Sequence, residues 1–205
     1  MTTTARTYLA LGDSYTIGEG LPLYESFPYQ LVHLLRKAGH AFHAPEIVAK
    51  TGWTTSELQT AIVQTPFQQQ YDLVTLLIGV NNQYRGESLN QYAREFEQLL
   101  EMAIGFAGNT PRAVAVLSIP DWGVTPFAGY DKHGRSRQQI SDEIDAYNNR
   151  NKAITAWYEG VWYIDITTST RAAVTDHSLL AADQLHPSGK EYQKWAEKVK
   201  QLLEK

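Results

Sequence analysis

The chain has 205 residues, 43% apolar and 20% charged, with a formal net charge of −4 and no cysteine. Such a chain suits one globular domain, spanning residues 1–205, with a core of substantial size. The slight acidity gives no electrostatic ground for binding nucleic acid or an anionic membrane, and the missing cysteines exclude disulfides, thiolate metal sites and a thiol nucleophile. No apolar run approaches the ~20 residues of a membrane-spanning helix. The N-terminus, Met-Thr-Thr-Thr-Ala-Arg, carries no apolar segment of signal-peptide length. The chain as given is therefore expected to be soluble and cytoplasmic, or periplasmic or secreted if a signal peptide has been removed.

Thr7–Leu11 predicts a first strand, closed by Gly12, and Tyr15–Glu25, with two glycines and a proline, predicts a loop. Helix one begins near Ser26, carries Phe27, Leu31, Leu34, Leu35 and Ala38 at helical spacing, and ends at Gly39. Glu46–Lys50 is the second strand. Thr54 and Glu57 have capping-box spacing ahead of a helix through Leu58, Ala61 and Ile62. Leu73–Ile78 is a continuous apolar run of the kind that suits a parallel strand covered on both faces.

Gly79–Gly86 reads as a polar loop. Ser88 and Gln91 suggest a second capping box, opening a helix with Leu89, Tyr92, Phe96, Leu99, Leu100 and Ala103 inward. Ala113–Ile119 is strand four. Pro120–Arg137 is long for a connection in a compact domain, and long loops are often functional; it is expected to cover or shape the binding site. A helix from about Gln139 to Tyr158, strand five at Val161–Ile166, a loop through Asp176–Leu185 and a third capping box at Ser188 and Glu191 complete the chain. Strict β-α alternation without repeats or linkers predicts a parallel sheet with helices on both faces and right-handed crossovers.

Sites in such sheets form beyond the carboxyl ends of the strands. Ser14 follows strand one, Gly52 strand two and Asn81 strand three; Asp183 and His186 follow strand five. These types fit acyl transfer. A serine hydroxyl needs a base to take its proton, which His186 can do. Asp183, three residues earlier, can hold the other imidazole nitrogen. The Ser14 N–H, the Gly52 N–H and the Asn81 amide are candidate oxyanion donors. Asp13 more plausibly braces the turn.

Gly12-Asp13-Ser14, Gly52, Gly79-Val80-Asn81-Asn82 and Asp183-Gln184-Leu185-His186 together resemble the SGNH or GDSL hydrolase family, in the family's order and over essentially the whole chain. The resemblance implies an α/β/α sandwich of flavodoxin-like type with a five-stranded parallel sheet. It also implies metal-free ester hydrolysis, without a cofactor, on a small-molecule ester, with the roles given above. Two departures stand out. Asn82 replaces the family's usual aspartate, and Tyr15 replaces its usual leucine, so both are candidates to alter the pocket. Arg85 is a candidate ligand for a substrate carboxylate or phosphate, against a bland reading as a solvated surface charge. Trp53 and Trp122 are candidate walls of an acyl or sugar site, or simple covers of the core.

The expected function is a serine esterase acting on short acyl or acetyl esters through an acyl-enzyme. Carbohydrate O-acetyl esters, lysophospholipids and thioesters are alternatives within the class. In a different class lies a non-catalytic flavodoxin-like module holding a nucleotide or flavin. The loop after strand one has neither the P-loop Gly-Lys-Ser/Thr nor the dinucleotide glycine spacing that this would need. Asp176-His177 is a competing acid–histidine pair.

Overall fold

A computed structural model describes residues 4–203. Strands β1 (Tyr8–Asp13), β2 (Glu46–Lys50), β3 (Leu73–Leu77), β4 (Val114–Leu117) and β5 (Trp162–Ile164) form one sheet in the order β2-β1-β3-β4-β5. Every neighbouring pair is parallel. β1, β3 and β4 are buried along their whole length, and the edge strands β2 and β5 are only partly so. This is why the central strands read as unbroken apolar runs.

Chain order reverses between β1 and β3, because β1 lies between β2 and β3. The right-handed crossover rule then sends the β1-to-β2 helix to one face and the following helices to the other. The helices are α1 (Ser14–Ile17), α2 (Phe27–Lys37), α3 (Thr55–Gln64), α4 (Val80–Tyr84), α5 (Leu89–Phe106), α6 (Arg137–Thr155), α7 (Thr167–Thr170) and α8 (Gly189–Leu203). α2 packs on α8, while α3, α5 and α6 pack side by side, giving the α/β/α sandwich. The α2–α8 seam is apolar, with Phe27 and Trp195 rings 6.5 Å apart and Leu31 and Val199 fully buried. Each such side chain contributes about 1.5–3 kcal/mol of burial energy.

The departures from the sequence pattern are local. Gly79–Gly86 holds a helix, α4, not an open loop, and Ser14–Ile17 holds another. Both are too short to declare a period. The Thr54–Glu57 capping box forms, but Ser88 makes no capping bond. Ser188 forms no box either: its N–H goes to the Leu179 carbonyl and its hydroxyl to the Ser178 carbonyl. Glu191 turns to Ser169, Lys194 and the Trp195 indole. A box missing from the sequence expectations, Ser136 with Gln139, starts α6 two residues earlier, at Arg137. Among the described residues no helix is long and apolar enough to cross a membrane.

Candidate active site

The sheet delivers its chemistry at the switch between β1 and β3, where open α/β sheets place their ligands. Asp13 ends β1, and its carboxylate accepts the Tyr15 N–H at 3.0 Å, capping α1. Ser14 thereby becomes the first residue of a helix, where an N–H has no internal acceptor. Two residues past β3, Gly79 with φ of +128° turns the chain into α4 and brings Asn81 to the same rim. A Cβ on Gly79 would meet the Tyr92 hydroxyl at 2.4 Å, so both conformation and space require glycine.

A cavity of about 160 Å³ is lined by Ser14, Asn81 and His186 together, with Tyr15, Val80, Tyr84, Trp122, Phe127 and Leu185 as walls. A larger depression of about 950 Å³ lies around Asn109–Arg112 and Glu159–Trp162. Those residues precede β4 and β5, at the rim opposite to Ser14, so the small cavity is the candidate site.

His186 is 7% exposed, and its Nδ1 lies 2.6 Å from Asp183 Oδ2. The other carboxylate oxygen, Oδ1, accepts the N–H groups of Leu185 and His186, both at 3.0 Å. Burial raises the Asp183 pKa, but these hydrogen bonds and the His186 ring outweigh it and hold the carboxyl below its ordinary value. An ionised carboxylate only accepts, so Nδ1 carries a proton, and in the neutral ring that tautomer leaves the lone pair on Nε2. Among the described residues Ser14 Oγ makes no hydrogen bond; the serine and the imidazole line the same cavity. Asp176 is engaged elsewhere: it takes Ser178 and Lys190, and caps the turn at His177.

Asn81 Nδ2 donates one hydrogen to the Trp53 carbonyl at 3.0 Å, which leaves its second N–H for the cavity. Gly52 sits beside this contact with φ +84°. Tyr15 packs its ring on His186, centroids 5.3 Å apart. Burial raises the Tyr15 phenol pKa well above its ordinary range, with Asp13, Asp183 and Asp121 adding to the shift. Trp122 is held by its indole N–H on Gln83 Oε1 at 2.7 Å.

Three of the residues expected at the substrate do not line the cavity. Asn82 is fully buried and does not reach the cavity. Its Oδ1 accepts the Thr55 N–H at 3.1 Å, and its Nδ2 donates to Thr55 Oγ1 at 2.7 Å and Glu87 Oε2 at 2.8 Å. An aspartate there would set two carboxylates against each other, so asparagine is the residue that Glu87 requires. Arg85 turns its guanidinium to the Gly52 carbonyl at 2.6 Å and to Glu57 at 3.2 Å. The Trp53 ring packs against the core, and its carbonyl, not its indole, meets the site. The wall residues Val80, Tyr84, Phe127 and Leu185 were missed. The two glycines bracketing 80–85 were the available signal for α4, which carries the first two.

Asp13 makes a pH prediction. Burial pushes its carboxyl from the ordinary 3.8 up to about 7, against hydrogen bonds from Tyr15 and its own N–H. Between those values the unfolded chain has released a proton that the folded protein keeps. Stability from this group therefore falls as pH rises from 4 to 7 and is level above. Asp13→Asn is expected to remove a loss of about 2–3 kcal/mol between pH 5 and pH 8, measured by urea unfolding at those two pH values. Equal slopes in the two proteins would contradict it.

The sequence model of the GDSL-like Lipase/Acylhydrolase family matches residues 10–194. No curated protein matches the chain. Solved structures do. A member of the lipolytic G-D-S-L family from Veillonella parvula superposes with TM-score 0.72 at 16% identity, covering 98% of this chain and 100% of its own. The psychrotrophic esterase EstA from Pseudoalteromonas sp. gives 0.67 at 16% identity, over 98% of this chain and 100% of that one. The acetyl xylan esterase AlAXEase gives 0.72 at 15% identity, over 94% and 97%. At these identities the likeness is one of fold, and the family match carries the activity. The chain therefore belongs to the GDSL-like lipase/acylhydrolase family and is a hydrolase of ester bonds.

Proposed function

We propose that Ser14 is the nucleophile of a Ser14–His186–Asp183 triad, that the N–H groups of Ser14 and Gly52 and the Asn81 amide form the oxyanion hole, and that the substrates are esters of short acyl groups. The observation that carries the reading is the Asp183–His186 contact of 2.6 Å opening onto the cavity that Ser14 also lines. His186 Nε2 takes the Ser14 proton as Oγ attacks the ester carbonyl. The carbonyl oxygen gains negative charge, and donors already fixed by the fold receive it without reorganisation. His186 then passes its proton to the leaving alkoxide. Water, deprotonated by the same nitrogen, cleaves the acyl-serine and restores the enzyme. Asp183 keeps its charge throughout and stabilises the imidazolium.

Cavity size argues for the short acyl group. Sites for drug-sized ligands run to roughly 300–1,000 Å³, well above the 160 Å³ found here. Two of its walls are fixed: Trp122 is pinned by Gln83, and Phe127 stands 6.1 Å from it, centroid to centroid. An acetylated carbohydrate suits the same site, its acetyl group in the cavity and its ring against Tyr84 or Trp122. Initial rates on p-nitrophenyl acetate, butyrate and octanoate test the proposal. Acetate or butyrate is expected to exceed octanoate in kcat/KM by about tenfold or more, and a preference for octanoate would overturn the short-acyl assignment.

A further inference from the structure

We propose that Arg85 is a positioning residue for the oxyanion hole: it fixes the turn that presents the Gly52 N–H, and it does not bind substrate. The inference rests on the triad and oxyanion assignments above.

Gly52 is the donor of that hole whose backbone angle needs glycine. Its φ of +84° lies in the region glycine alone enters freely. A Cβ there would come no nearer than 3.9 Å to an atom outside its chain neighbours, the Arg85 Nη2, so nothing packs on the open side of Gly52. Hydrogen bonds hold the turn. Arg85 Nη2 donates to the Gly52 carbonyl at 2.6 Å, and Asn81 Nδ2 donates to the Trp53 carbonyl at 3.0 Å. Two successive carbonyls are thus taken by side chains at the two ends of one five-residue helix, α4 and its cap. The Trp53 N–H closes the turn on the Lys50 carbonyl at 3.2 Å. Among the described residues the Gly52 N–H makes no hydrogen bond, and it is this group that the turn leaves for a developing oxyanion.

Arg85 is itself anchored. Its Nη2 lies 3.2 Å from Glu57 Oε2, and the same oxygen accepts the Thr54 N–H at 2.9 Å. The Thr54 N–H contributes most to holding the Glu57 carboxyl below its ordinary value; burial opposes this, and the Arg85 hydrogen bond assists. The capping box that starts α3 therefore also supplies the counter-charge for Arg85. One guanidinium nitrogen, Nη2, serves a carboxylate and a carbonyl together, a task that lysine's ammonium, one nitrogen with three N–H donors, can take over in part. The guanidinium is half-exposed, so its ion pair adds little stability. What it fixes is a donor that must lie within ~2.7–3.1 Å of the oxyanion, and small misplacements of catalytic groups are costly in rate.

The test is kcat and KM for p-nitrophenyl acetate in wild type, Arg85→Ala, Arg85→Lys and Ser14→Ala, with the rate of inactivation by an alkylphosphonate. Arg85→Ala is expected to lose about tenfold in kcat with KM within about twofold, since the donor is used mainly in the transition state. Phosphonate inactivation should slow by the same factor, Arg85→Lys should recover part of the loss, and the melting temperature should hold. Unchanged kcat in Arg85→Ala, where Ser14→Ala is inactive, overturns this inference alone. A raised KM for anionic esters at unchanged kcat overturns it in favour of a substrate ligand. Full activity in Ser14→Ala overturns the triad, and the role of Arg85 falls with it.

Discussion

Ser14→Ala and His186→Ala are each expected to lower kcat on p-nitrophenyl acetate by about 10⁴–10⁶, and the double variant by no more than the worse single one. Nucleophile and base form one device: without the base the hydroxyl stays protonated, and without the hydroxyl the base has nothing to activate. Asp183→Asn is the sharper case. The two oxygens of Asp183 have different tasks, Oδ1 taking the Leu185 and His186 N–H groups and Oδ2 taking the imidazole. An asparagine keeps its oxygen on the two backbone donors, which places its amide nitrogen against Nδ1. Nδ1 must then become an acceptor, the ring proton moves to Nε2, and the nitrogen that should receive the serine proton already carries one. A loss of about 10⁴ in kcat is expected, with near-normal melting because the Asp183 side chain is 39% exposed. Steady-state kinetics with a thermal melt decide it, and an Asp183→Asn enzyme within about tenfold of wild type would contradict the assigned tautomer.

The sheet was legible because its central strands are buried on both faces and read as nearly continuous apolar runs, and the rim was legible because it lies where those runs stop. Ser14 and Asn81 stand just past such stops, and the structure brings them to one cavity with His186, which a long loop delivers ahead of α8. What sequence reasoning missed is set by hydrogen bonds between distant segments. Arg85 and Asn82 looked like substrate contacts because a sequence displays a charge or an amide but not its partner. Their partners, Gly52 and Thr55, lie about thirty residues earlier. The segment after β4 shows no period, and its shape depends on Arg135. That guanidinium binds Asp131 and Glu143, takes the Gln83 and Tyr84 carbonyls at 3.0 and 3.2 Å, and stacks 5.5 Å from the Trp122 ring. Two walls of the cavity, Tyr84 and Trp122, are thus held by a residue no local pattern marks.

Gly12→Ala is expected to cost at least about 3 kcal/mol, at or beyond the upper end of ordinary overpacking, and so to lower the melting temperature by about 6–12 °C. The contrast with Gly52 shows why. At Gly52 there is room for a methyl group and only the backbone angle opposes it. At Gly12 a Cβ would stand 2.4 Å from the Leu77 carbonyl oxygen and 2.1 Å from Thr16 Oγ1. The carbonyl belongs to β3, which is paired with β1 at this residue, while β2 pairs on the other side through Ala49. A strand fixed on both edges cannot move aside. Thr16 cannot move without shifting α1, and its hydroxyl is already buried without a partner. The methyl group must therefore part β1 from β3 or lift α1. Either movement displaces Ser14, the first residue of α1, so the variant should lose esterase activity before it unfolds. Thermal melts and p-nitrophenyl acetate rates at a temperature well below both transitions separate the two effects. A Gly12→Ala protein that melts like wild type would show that the elbow carrying Ser14 is looser than its contacts imply.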